Sequence, residues 1–107
     1  MICAKFLTLP DGRLLGFRIE GHSGYAEEGA DIVCAAVSSA AYMTANTVTE
    51  VLGISPVSLR AEDGDMLLRV EPRDEPNCRD LFAGLKVHLK NMEEQYPDFV
   101  TVKYLEV

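Results

Sequence analysis

The chain has 107 residues, of which 10 are basic and 17 acidic, for a formal net charge of −7, and 48% are apolar. That length fits one domain spanning 1–107, and the apolar fraction is ordinary for a globular chain and too high for a disordered one. The acid excess argues against nucleic acid or an anionic membrane surface as the main partner, because both rely on Lys and Arg, and it leans mildly toward a basic partner.

Met1-Ile2-Cys3-Ala4-Lys5 opens without a secretory signal pattern, and no apolar stretch is expected to reach the roughly 18 residues of a membrane helix. The expected location is the cytoplasm, where thiols stay reduced. Cys3, Cys34 and Cys78 are widely spaced, with no C-x-x-C pair and only two His, so neither zinc nor any other metal or cofactor is expected.

In chain order, 2–8 and 14–20 read as strands joined by the turn Pro10-Asp11-Gly12. A Gly-rich polar loop, 21–30, follows. Asp31 is a candidate N-cap for a helix over 32–52 that ends at Gly53. Its expected stripe is Val33, Val37, Ala41, Val48 and Leu52, widened by Ala36, Ala40, Met43 and Val51. A second hairpin, 57–62 and 66–71, turns at Asp63-Gly64-Asp65. Asp74 or Asn77 is placed to cap a second helix, with Pro76 in its first turn and a stripe of Leu81, Phe82, Leu85, Leu89, Met92 and Tyr96. Pro97 stops that helix, and 99–105 closes as a strand. The ββαββαβ order predicts an α+β two-layer sandwich, with two helices on one face of a mixed, mostly antiparallel sheet.

The uncommon stretch is 21–38. With Asp31 as cap, Cys34 takes the third position of the helix, where unpaired N–H groups and the positive helix end favour a thiolate and can serve an oxyanion. His22 lies twelve residues upstream among Gly21, Gly24 and Gly29, on a loop that can bring an imidazole to the sulfur. Cys34 also reads as a small apolar filler of an Ala-rich helix, and these residues alone leave both readings open. Cys3 and Cys78 read as packing and His88 as half-buried structure. Asp31 reads as a cap before it reads as a partner of His22. Glu27, Glu28 and Asp31 are solvated loop charges or a cation-attracting rim. Ser38 either back-bonds to its helix or supports the site, and Tyr25 either packs down or covers an aromatic substrate side chain.

Gly21-His22-Ser23-Gly24 followed by Gly29-Ala30-Asp31-Ile32-Val33-Cys34-Ala35-Ala36-Val37-Ser38 resembles the ribosomal-processing cysteine protease family (Prp) over nearly the whole chain. The resemblance implies a Cys-His dyad of Cys34 and His22, support from Gly21, Asp31 and Ser38, and a mobile loop with Ser23, Gly24 and Tyr25 at the peptide. It implies a homodimer that trims the short N-terminal extension of large-subunit ribosomal protein twenty-seven. The cut would follow a hydrophobic stretch ending in aromatic residues. Two other classes stay open: a non-catalytic ribosome-associated binding module, and another small thiol enzyme such as a thioesterase or a redox sensor.

Overall fold

Alternation of apolar and polar residues makes the opening hairpin, β1 (Ile2–Thr8) and β2 (Leu14–Glu20), with the expected bounds. A computed structural model describes residues 1–21, 28–62 and 64–107, with the side chains of all but 28–31. Gly12 takes a φ of +90° in the turn and its N–H donates to the Leu9 carbonyl at 2.9 Å. The Asp11 carboxylate accepts from the Arg13 backbone N–H at 3.1 Å, a bond that holds its pKa below the usual range.

The second hairpin is β3 (Ser58–Glu62) and β4 (Asp65–Arg69), slightly shorter than expected. With β5 (Val100–Glu106) the sheet runs β3-β4-β2-β1-β5, and only the β1–β5 pair is parallel. The two helices, α1 (Glu28–Asn46) and α2 (Glu75–Gln95), pack on one face, as predicted. Phe17 of β2 meets Phe82 of α2 edge-to-face at 6.4 Å. The other face carries a cross-strand charge ladder. Lys5 and Arg18 reach Glu20, while Arg18 and Arg60 reach Asp65, at 2.9–3.4 Å.

Helix α1 departs from expectation at both ends. It begins at Glu28, so Asp31 is its fourth residue and not its cap. After Asn46 it widens into a π-helical turn, Thr47–Val51. Three threonine hydroxyls donate to carbonyls four residues back, Thr44 to Ala40, Thr47 to Met43 and Thr49 to Ala45, at 2.8–3.2 Å. Such bonds compete with the helical ladder and bend it. Val33, Val37, Ala41 and Val48 are buried as expected, but Val51 and Leu52, carried past the widened turn, face out. Met43 is exposed too, because two residues beyond Ala41 is a rotation of about 200°.

By length and a mean hydropathy of 1.2, Ile32–Val51 does reach what a membrane helix needs, contrary to the sequence expectation. Its buried stripe packs on the sheet, and the Ala, Ser and Thr of its other faces account for the missing charges.

A 3-10 turn, Pro72–Asp74, leads into α2, and Asp74 stands at the cap position without a side-chain cap bond, correcting the expected cap. Along α2 Cys78, Phe82, Leu85, Leu89 and Met92 are buried, whereas Tyr96 and His88 are exposed. His88 is thus not the half-buried residue expected; it is exposed where α2 faces α1 across a groove lined by Ala40, Met43 and Leu85. Cys78 packs as expected, and burial, with the nearby Asp74 and Glu75 charges, pushes its thiol pKa up.

The feature least visible in sequence is Glu75, whose side chain is 1% exposed at the start of α2. Arg79 donates to both of its carboxylate oxygens at 2.8 and 2.9 Å, and Arg13 from the β1–β2 turn approaches at 3.4 Å. The Arg79 hydrogen bonds hold the Glu75 pKa down against burial, which pushes it up. A carboxylate whose folded pKa is lowered stabilises the fold above its unfolded pKa, and that contribution fades as pH falls through the folded value. Glu75→Ala should cost about 2–3 kcal/mol in urea unfolding at pH 7, less than a fully buried pair because both Arg are half-exposed. The difference from wild type should shrink as pH falls below the ordinary carboxylate value of 4.5; a difference that stays constant with pH would remove the ionic account.

Candidate active site

Burial of Val33, Val37 and Ala41 against the sheet fixes the rotation of α1 and sets the adjacent residues Cys34, Ser38 and Tyr42 along its flank. These three line one pocket of about 60 Å³. Its buried floor is apolar: Ile2, Ile19, Val37, Ala41 and Met66. Gly21, at the end of β2, and Glu62, Gly64 and Asp65, at the β3–β4 turn, complete the rim. Asp65 is held by Arg18 and Arg60.

Gly21 is required by the backbone. Its φ is +97°, its N–H donates to the Gly64 carbonyl at 2.9 Å, and a Cβ there would collide with the Met1 carbonyl oxygen. The chain therefore leaves β2 along a path only glycine permits.

Of the residues singled out from sequence, Gly21, Cys34 and Ser38 meet at this pocket. His22, Ser23, Gly24, Tyr25 and Glu27 lie outside the described residues; Glu28 and Asp31 are helical, their side chains also outside the description. One electrostatic expectation changes. Cys34 is the seventh residue of α1, about 9 Å along the axis from Glu28 and in the second turn, not at the third position expected. The sequence reading missed Tyr42 and the apolar floor. Tyr42 was legible in principle, since it follows Cys34 and Ser38 at successive intervals of four on one helix flank.

The family model described as cysteine protease Prp matches residues 1–101. The chain belongs to the Prp cysteine protease family. It is accordingly a cysteine protease. The ribosomal processing cysteine protease Prp of Bacillus subtilis is 30% identical over 107 residues, covering 95% of this chain and 96% of that one. The Staphylococcus aureus protein of the same name is 22% identical over 105 residues, covering 97% of this chain and 99% of its own. The fold matches a crystal structure of S. aureus Prp with a substrate peptide, at a TM-score of 0.85 and 21% identity, covering 98% of this chain and all of that one. A Streptococcus mutans crystal structure matches at a TM-score of 0.82 and 28% identity, over 100% of this chain and 96% of its own.

Gly21→Ala should lower stability by about 1–3 kcal/mol, the scale of a strained backbone position, measured by urea unfolding. It should also reduce peptide hydrolysis under conditions where the protein remains folded. Unchanged stability and activity together would show that the Met1 contact does not hold the loop start.

Proposed function

We propose that the chain is a cysteine endopeptidase in which Cys34 is the nucleophile and His22 its acid–base partner. The substrate is the precursor of large-subunit ribosomal protein twenty-seven, cut to remove a short N-terminal extension. The observation that carries this reading is the meeting of Gly21, Cys34 and Ser38 at one apolar pocket. Gly21 directly precedes His22 in the chain, so the loop that carries the imidazole departs from the pocket rim. The family membership and the peptide-bound S. aureus relative support a peptide substrate.

In the proposed reaction the Cys34 sulfur attacks the scissile carbonyl carbon, forming a C–S bond. His22 protonates the departing amine as the C–N bond breaks. Water, losing a proton to His22, then attacks the thioester and returns the thiolate. With Cys34 in the second turn of α1, activation of the sulfur falls to the imidazole. Ser38, one turn beyond Cys34 on the pocket wall, supports the site. Ser23, Gly24 and Tyr25 of the same loop contact the peptide, and Asp31 supports the site from the first turn of α1. The enzyme works in the cytoplasm as a homodimer. Its acid excess steers a basic ribosomal precursor toward it.

Incubating the protein with the precursor should give a product shortened at its N-terminus, read by mass spectrometry. Cys34→Ala and His22→Ala should each lose at least about a thousandfold in kcat/KM. An undiminished product from Cys34→Ala would defeat the assignment. Under native conditions iodoacetamide should label Cys34 far faster than Cys78 and also far faster than Cys3, which is half-buried like Cys34, and His22→Ala should slow that labelling; equal rates at Cys34 and Cys3 would favour a non-catalytic module. Raising the salt concentration should lower kcat/KM by weakening charge steering, and a salt-independent value would remove the steering claim.

A further inference from the structure

We infer that β3, the edge strand beside the Cys34 pocket, is the docking strand on which the extended peptide substrate adds as a further strand. This rests on Cys34 being the nucleophile. The sheet order leaves β3 with β4 as its one strand neighbour, so along its outer edge the backbone groups of 58–62 have no strand partner among the described residues. Such an edge takes up an extended peptide through main-chain bonds, with side chains at alternate positions read by the faces on either side.

The side chains of β3 suit that role. Register places Leu59 opposite Leu68 and Ala61 opposite Met66, both of which are buried, so Leu59 and Ala61 sit on the helix-bearing side of the sheet. Yet Leu59 is 53% exposed, and Val57, just before the strand, is 55% exposed. The helices stop short of β3 and leave an apolar ledge. Arg60, between Leu59 and Ala61, turns to the opposite face and is tied to Asp65 at 2.9 Å, which holds the strand in place.

The ledge is continuous with the site. Glu62, the last residue of β3, lines the Cys34 pocket, and so does Tyr42 of α1, which is 46% exposed. A peptide paired along β3 is thereby delivered to the sulfur, with apolar side chains two residues apart over Leu59 and Ala61. The opposite edge, β5, also has exposed apolar residues, Tyr104 and Leu105, but contributes nothing to the pocket.

The test uses full-length Cys34→Ala protein and a fluorescein-labelled peptide spanning the precursor cut, so that binding is read without cleavage. Fluorescence anisotropy should give a Kd about tenfold weaker when Leu59→Asp is added, since a charge replaces one apolar contact. Hydrogen exchange of the bound Cys34→Ala protein should show new protection of the 58–62 amides and none at 100–106. That readout does not depend on any β3 variant folding. In otherwise wild-type protein, Leu59→Asp should raise KM and leave kcat and the rate of Cys34 labelling unchanged. An absence of peptide binding, no new protection at 58–62, or protection at 100–106 instead would overturn the proposal. Failure of the catalytic reading has its own signature: peptide protects β3 but wild-type protein does not cut it.

Discussion

The rotation of α1 on the sheet is the constraint on which the rest depends. Burying Val33, Val37 and Ala41 leaves no freedom for the residues one step further round the helix, so Cys34, Ser38 and Tyr42 must stand along its flank. The sheet supplies the matching wall, because Ile2, Ile19 and Met66 come from three neighbouring strands, and those strands end where the pocket opens. A core contact and the proposed catalytic position are thus the same geometric fact, seen from adjacent stripes of one helix. Over-packing at Ala41 would act on both at once.

The sheet was largely legible from sequence because its signals are local. Alternation over 2–8 and 14–20, with Pro10-Asp11-Gly12 between, leaves few other solutions. The start of α1 was misread for a physical reason: Asp31 has the chemistry of a cap, but Glu28, Gly29 and Ala30 ahead of it are already helical. Its far end was misread because a threonine's choice between solvent and the carbonyl four residues back is not written in any periodicity, and three such choices accompany the π-helical turn.

Glu75 shows another limit of a linear reading. Nothing around Pro72–Cys78 announces that one of its acids is fully buried, because the compensation comes partly from Arg13, sixty-two residues away at the β1–β2 turn. Desolvating a carboxylate is tolerable only when its oxygens are bonded, and Arg79 does most of that. The network ties the opening hairpin to α2 at the end of the molecule away from Cys34. The motif around His22 and Cys34 was legible for the opposite reason. Its residues are close in sequence and chemically unusual, so the candidate nucleophile could be named before its pocket was known. Tyr42 and the β3 ledge had no such signature: they matter only through what the fold sets beside them.

The displaced helix start reshapes the chemistry of the site. A cysteine in the first turn would draw on unpaired N–H groups and the positive helix end, and an imidazole would then be an aid. Helix-end effects fade within the first turn, and Cys34 lies beyond it. The acidic residues Glu62 and Asp65 at the rim offer the sulfur no positive charge, and Asp65 is already engaged by two arginines. In the proposed mechanism thiolate formation draws on His22, the one His of the 21–30 segment. This gives a physical reason for the constrained path at Gly21. If the imidazole carries most of the activation, the point where its loop leaves the sheet has to be fixed more tightly than loop starts usually are, and the Met1 carbonyl, set where any side chain at position 21 would go, imposes that restriction.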